Sequence, residues 1–261
     1  MQQQNPYAAP SAPVADVSHE TSAGVFIPGG RRVPSSNGWQ WIVQGFQLFK
    51  MNPGTWIAIV IIYLPLMFVL ALIPVVGNLA LNILFPVVTG GLMLGCDALM
   101  DDRPLEISHL FAGFKEKLGP LAMVGALYLA GIVAIGIGFA LAFGFGMIAN
   151  VAGWRGLALN PIAVAIIVLG FSIFMIPLVM AIWFAPALVV FHDEKPLAAM
   201  KQSFQGSYKN MMPFLLYGVA ASLLFVVAML PVFLGLLILA PTMIASVYAS
   251  YRDIFAPTDL D

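Results

Sequence analysis

Residues 51–96 read MNPGTWIAIVIIYLPLMFVLALIPVVGNLALNILFPVVTGGLMLGC, 46 residues in a row without Asp, Glu, Lys, Arg or His. A helix needs about 20 apolar residues to cross a ~30 Å hydrocarbon layer, so this stretch holds two crossings. They run from about Trp56 to Ile73 and from about Leu79 to Leu99, with Pro74, Val75, Val76, Gly77 and Asn78 as the turn. The first carries twelve Ile, Leu, Val and Phe residues. At roughly 0.3–0.6 kcal/mol each, they favour insertion by several kcal/mol.

Three more stretches lack charge and histidine: Leu118–Trp154, Gly156–Phe191 and Asn210–Tyr251, of 37, 36 and 42 residues. By the same arithmetic they hold one, one and two crossings. The expected helices are 120–149, 161–190, 213–230 and 234–251. The two of about 30 residues exceed what a bilayer requires, so tilt, a kink or extension beyond the membrane near Trp154 and Arg155 is expected. The fold class is an all-α polytopic membrane protein with six transmembrane helices in three hairpins.

Composition excludes a soluble monomer. The 261 residues are 61% hydrophobic and 9% charged, whereas soluble domains carry roughly 25% charged residues. With 11 Lys plus Arg and a net charge of −1 there is no basic stripe for nucleic acid. The single cysteine, Cys96, cannot form an intramolecular disulfide and reads as an apolar packing residue. The start, Met1-Gln2-Gln3-Gln4-Asn5-Pro6, lacks the basic and apolar regions of a cleaved leader. The first spanning helix is therefore expected to serve as the insertion signal.

Residues 1–35 are rich in Pro, Ala, Ser and Gln, with prolines at 6, 10, 13, 28 and 34, and read as a disordered cytoplasmic tail. Order is expected from Ser35, Ser36 and Asn37, with Trp39, Ile42, Val43, Phe46 and Phe49 at helical spacing and Gln40, Gln44, Gln47 and Lys50 between them. That pattern describes an amphipathic helix lying in the headgroup layer. The transmembrane domain then spans 36–255 and a short cytoplasmic tail 256–261. Arg31, Arg32, Lys50, Arg103, Lys115, Lys117, Lys195, Lys201, Lys209 and Arg252 fall on one side of the six-helix layout, against Arg155 alone on the other. Positive charge stays inside, so both termini are expected in the cytoplasm.

An internal triplication is visible in the cytoplasmic segments. An aromatic, a lysine and a nearby proline precede each odd-numbered helix: Phe49-Lys50 and Pro53, Phe114-Lys115 and Pro120, Tyr208-Lys209 and Pro213. Each even-numbered helix carries a central proline, Pro86, Pro177 or Pro241. A charged turn with proline follows: Asp101-Asp102-Arg103-Pro104, Asp193-Glu194-Lys195-Pro196, and the weaker Arg252-Asp253 with Pro257. The unit is an interfacial amphipathic helix plus a helical hairpin. Because every hairpin begins and ends in the cytoplasm, the repeat is parallel rather than inverted.

The stretch Trp183-Phe184-Ala185-Pro186-Ala187-Leu188-Val189-Val190, a charged turn, then Ala199 to Ser203 and Tyr208-Lys209, resembles uncharacterised bacterial six-helix inner-membrane proteins. Similar segments occur in the membrane domain fused to some glycerophosphodiester phosphodiesterases. Gly38-Trp39-Gln40-Trp41-Ile42 through Phe49-Lys50-Met51-Asn52-Pro53 looks like the start of one such proteobacterial family of unknown function. The resemblance covers about residues 31–255 and implies the six-helix fold. It supplies no catalytic residues, and with no soluble phosphodiesterase domain in this sequence that activity is not carried over.

Catalysis in a membrane needs a nucleophile and base at matching depth, or a metal held by His and carboxylates. His19, His109 and His192 all fall in the tail or cytoplasmic turns, so Ser172, Ser222 and Ser246 read as backbone or interhelical hydrogen bonders. No cofactor and no metal site is expected, although two similar turns place His109, His192, Asp101, Asp102, Asp193 and Glu194 on one face. The candidate intramembrane polar site is Asp97, near the cytoplasmic end of helix two, with Asn82 and Asn78 four residues apart near its outer end. The expected helix-packing stripe on helix three is Ala122, Ala126, Ala130, Ala134, Gly138, Ala142 and Gly146, preferably against another helix of the same chain. The central prolines are expected to kink their helices.

The preferred function is a non-enzymatic membrane protein that engages membrane lipid or another membrane protein, itself included. The alternative is a small-solute transporter or channel with a cavity between the kinked even-numbered helices. A membrane enzyme is the least favoured.

Overall fold

Lipid offers no partner for a backbone N–H or C=O, so a chain this apolar satisfies them within helices. The computed structural model describes residues 24–151 and 161–257, and among these the regular structure is helical throughout. In chain order the helices are α1 (Asn37–Met51), α2 (Pro53–Ala71), α3 (Val76–Met100), a 3-10 turn (Ile107–Phe111), α4 (Ala112–Glu116), α5 (Leu118–Val151), α6 (Pro161–Trp183), α7 (Ala185–His192), α8 (Pro196–Lys209), α9 (Met211–Met229) and α10 (Leu236–Phe255).

Local chemistry sets the boundaries. Asn52 leaves the helical region and its side chain accepts from the Thr55 N–H, so α1 stops and α2 starts with Pro53 in the first turn, where no N–H is needed. Asp102 and Asp193, with φ of 56° and 53°, turn the chain out of α3 and α7 in the left-handed conformation that Asp tolerates. The expected single helix 161–190 is broken at Phe184. Pro186 cannot continue the ladder, and the Ser203 hydroxyl enters the gap, accepting from Phe184 N–H at 2.9 Å and donating to the Met180 carbonyl at 2.7 Å. Those two groups are the i, i+4 pair that an unbroken helix would have joined.

Among the described residues five helical spans are long and apolar enough to cross a membrane: Pro53–Ala71, Val76–Met100, Leu118–Leu141, Val168–His192 and Met211–Met229. The sixth expected helix, α10, falls outside that set because Ser246, Ser250, Arg252 and Asp253 occupy its second half. Its polar side chains are not turned outward: Thr242, Ser246 and Ser250 are all buried. The long contact with α1 covers them, and a helix shielded from lipid needs no apolar surface there.

The short segments and the long helices interlock in a cycle. The 3-10 turn and α4 pack on α3, α8 packs on α6, and α1 packs on α10, which links the first helix to the last. Bare backbone makes the approach close. A side chain at Gly45 would strike the Thr242 carbonyl and the Ser246 backbone, and one at Gly113 would strike the Val87 carbonyl and the Gly91 backbone.

Two expectations are corrected. The disordered tail was expected to reach residue 35, but 24–35 lie as a strap across the ends of α8 and α10; residues 1–23 are outside the described residues. Ile27 N–H donates to Phe255 O and Arg31 N–H to Ile254 O, at 2.8 and 2.9 Å. The Asn210 side chain bonds Arg31 O and Val33 N–H at 2.8 and 2.9 Å, and Lys209 Nζ reaches the carbonyls of Gly29 and Gly30. Gly29 and Gly30, with φ of 72° and 69°, make the turn that exposes those carbonyls.

The second correction concerns the small-residue stripe. Ala126 is half-buried, but Ala130, Ala134 and Gly138 are exposed, and a side chain added at Gly138 would meet nothing within 4 Å. The face of α5 that packs carries Leu121, Val124 and Gly125, the last against the backbone of Asn82 and Ile83 on α3. The surroundings of Ala142 and Gly146 lie outside the described residues.

Candidate functional site: an apolar cleft between three proline-bearing helices

Counting two, three and six residues beyond a central proline selects one face of a helix, because these positions are related as i, i+1 and i+4. From Pro86 they are Val88, Thr89 and Leu92. From Pro177 they are Val179, Met180 and Trp183, and from Pro241 they are Met243, Ile244 and Val247. All nine line one cleft of 940 Å³. The prolines themselves stand off the wall: Pro86 and Pro241 are buried in other contacts and Pro177 is exposed. A further internal proline, Pro65 in α2, escaped the sequence reading because it belongs to an odd-numbered helix.

The remaining wall comes from Tyr63 on α2 and from Phe214, Tyr217, Gly218 and Ala221 on α9, with Ser207 at the α8 end. The hydroxyls of Tyr217, Ser172 and Ser207 are held by protein, whereas the buried Trp183 Nε1 has no hydrogen-bond partner. Tyr217 Oη lies 2.8 Å from Ser246 Oγ, and Ser172 Oγ donates to the Val168 carbonyl at 2.7 Å. No Asp, Glu, Lys, Arg or His stands among the described residues that line the cleft. Neighbouring helices pack in the order α9, α10, α2, α3, α5, α6, and α6 meets α9 where the Trp183 ring stands edge-on to Phe214 and Tyr217, centroids 5.7 and 6.1 Å apart.

A second cleft of 440 Å³ adjoins the first and shares Phe85, Thr89, Val179, Trp183 and Val247 with it. Asn82 stands on its wall, bonded through Nδ2 to the Asn78 carbonyl at 2.8 Å on the same helix. Asp97 is fifteen residues further along α3, about 22 Å at 1.5 Å per residue. The three polar residues singled out from sequence therefore do not form one site, and the wall between them is Phe85, Val88, Leu92 and Met93.

Asp97 is buried rather than a solvated carboxylate of the interface. Tyr248 Oη donates to its Oδ1 at 2.7 Å, and Arg252 Nη1 lies 4.0 Å from the same oxygen and 3.3 Å from Tyr248 Oη. A buried carboxylate without a counter-charge would cost several kcal/mol, so this trio ties α3 to α10 with the charge balanced. Beside it, along α10, a hollow of 470 Å³ is lined by Arg31, Asn37, Gln40, Gln44, Arg252 and Asp253, among others.

His109 and His192 are held in separate settings. His109 Nδ1 accepts from the Glu106 N–H at 3.0 Å within its own turn. His192 Nε2 sits 2.6 Å from Tyr251 Oη, with its ring stacked on Phe26 of the strap at 3.8 Å. Among the described residues no three His, Cys, Asp or Glu side chains come close enough together to hold a metal ion.

No family model matches the chain, and no solved structure matches it. A protein of Burkholderia thailandensis described as a probable inner membrane protein is 30% identical over 227 residues, which cover 83% of this chain and 82% of that protein. The similarity runs through most of both sequences, and the apolar helices agree with that description. The chain is a multi-pass membrane protein and belongs to the same family as this Burkholderia inner membrane protein.

Proposed function

We propose that this protein crosses the inner membrane six times with both termini in the cytoplasm and, without catalysing a reaction, holds the hydrocarbon chain of a membrane lipid in the cleft between α3, α6 and α10. The crossings are α2, α3, α5, α6 with α7, α9, and α10. Each hairpin follows a cytoplasmic amphipathic segment: α1, the 3-10 turn with α4, and α8. The likeness to the membrane domain fused to some phosphodiesterases extends to this layout alone.

The observation that carries the reading is the threefold register of the nine lining residues behind Pro86, Pro177 and Pro241. Ordinary packing would fill such a register with side chains. Here it surrounds a cleft at the upper end of the ~300–1,000 Å³ usual for small-molecule sites. Its largely apolar wall favours a hydrocarbon guest, and a polar solute would exchange its hydration for few hydrogen bonds. That disfavours the small-solute transporter. A lipid would enter sideways between α6 and α9, beyond the Trp183, Phe214 and Tyr217 rings.

Gly218 supplies the test, because a side chain there meets nothing within 4 Å and would grow into the cleft. Gly218→Trp should lower crosslinking of a photoactivatable phospholipid acyl chain by about tenfold, equivalent to about 1.4 kcal/mol. Thermal stability in detergent should stay within about 4 °C of the parent, a change of about 1 kcal/mol. Undiminished crosslinking in a folded Gly218→Trp protein would sink the lipid reading.

A further inference from the structure

The three cytoplasmic segments each end at a residue that breaks the helix, Asn52, Lys117 or Asn210. Counting back three, four and seven residues from the break gives the side that packs on the protein. These are Phe49, Leu48 and Gly45 in the first repeat, Phe114, Gly113 and Leu110 in the second, and Ser207, Gly206 and Ser203 in the third. All are buried except Phe114, which is half-buried.

Counting back two, six, nine and thirteen gives another face. In α1 it is Lys50, Phe46, Val43 and Trp39, all exposed. In α8 it is Tyr208, Phe204, Lys201 and Leu197, with Leu197 71% and Tyr208 62% exposed. In the middle repeat, where a loop and the 3-10 turn replace the first part of the helix, the same positions are Lys115, Phe111, Ser108 and Pro104, again all exposed. Each face therefore sets a lysine beside an exposed or half-exposed aromatic, and Lys50 Nζ stands 5.3 Å above the Phe46 ring. Against water these faces would waste apolar surface, and in hydrocarbon they would strand three cations.

A headgroup layer suits both, since aromatic rings settle at the acyl boundary while lysines reach outward to phosphate. The spanning helices that follow each break already hold these segments at the membrane. We propose that the three faces form a collar seated in the cytoplasmic leaflet, in which Lys50, Lys115 and Lys201 select anionic phospholipid headgroups. The inference rests on the cytoplasmic placement given under the proposed function, but it does not require the cleft to be occupied.

The test uses the full chain in nanodiscs of phosphatidylglycerol and phosphatidylcholine in equal amounts, with retained lipids weighed by native mass spectrometry. The parent protein should retain phosphatidylglycerol preferentially. Lys50→Gln/Lys115→Gln/Lys201→Gln should reduce that preference about tenfold, in line with the attraction of individual cations to an anionic surface. A second variant, Arg32→Gln/Lys195→Gln, removes two exposed cations that lie off the collar; it should leave the preference within about twofold of the parent. An undiminished preference in the triple variant overturns the collar, as does an equal loss in the off-collar variant. Gly218→Trp reads the cleft separately: loss of acyl crosslinking with the preference intact leaves the collar standing.

Discussion

Gly113→Leu is expected to leave little folded protein, whereas Gly136→Leu is expected to behave as the parent does. Both glycines sit in helices of an apolar chain, and sequence alone treats them alike. At Gly113 the backbone of α4 lies directly against α3, and even a Cβ would fall inside contact distance of the Val87 carbonyl and close to the Gly91 nitrogen. Neither atom belongs to a side chain that can swing aside, so two backbones must part. Overpacking typically costs about 1–3 kcal/mol, and an isobutyl group against backbone should reach or pass the top of that range. At Gly136, on the outer part of α5, an added side chain meets nothing within 4 Å. Thermal unfolding and the monodisperse fraction in detergent compare the two. Equal stability would mean that α4 and α3 do not approach as described.

Asp253→Ala should cost about 2–4 kcal/mol and free the strap. One carboxylate gathers three donors from the strap and α1: Arg31 Nη2 at 3.1 Å, Asn37 Nδ2 at 2.8 Å and Trp41 Nε1 at 2.8 Å. Trp41 is 1% exposed, so its N–H has no water to turn to once the acceptor is gone. Arg31 is a third exposed and can be hydrated, so the ion pair contributes less than a buried one would. Asp253→Asn keeps one acceptor oxygen and should recover about half of the loss. Arg31→Ala in the Asp253→Ala background should add less than it does alone, since the two share one interaction. Trypsin cleavage after Arg31 and Arg32 reports release of the strap. Cleavage no faster in Asp253→Ala than in the parent would show that this carboxylate does not hold the first repeat to the last.

The spans were legible because a bilayer imposes one rule on every residue it touches. Four uncharged stretches therefore located the five apolar spans to within a few residues, with α6 and α7 divided where Ser203 enters the ladder. What another part of the chain does to a helix is not written in that helix. The four-residue spacing of Ala130, Ala134 and Gly138 says that small residues share a face, but not that a partner lies opposite. Lipid accepts a smooth face as readily as a rough one. The strap was missed for a related reason. Its hydrogen bonds go to Asn210, Lys209, Ile254 and Phe255 at the far end of the chain, and its Pro-Gly composition has no periodicity of its own.

The polar trio of Asp97, Tyr248 and Arg252 was half legible. Asp97 stood out as an ionisable residue in an apolar helix, but its partners lie about 150 residues away. Their signal was the polar end of α10, whose Tyr248 and Arg252 stand four apart on one face. The cleft was legible in outline, since a cavity between proline-bearing helices was the alternative reading. Its wall was readable only once the three prolines were used as a common register, and its apolar character then favours lipid over solute.

Whether α10 crosses the membrane decides whether three complete hairpins surround the cleft. Reporter fusions after Pro231 and after Asp261, each scored for both export-dependent and cytoplasm-dependent activity, ask this directly. The fusion at Pro231 should be active only as an exported reporter and the fusion at Asp261 only as a cytoplasmic one. Both reporters on the same face would mean that α10 does not span, and the threefold arrangement would fail with it.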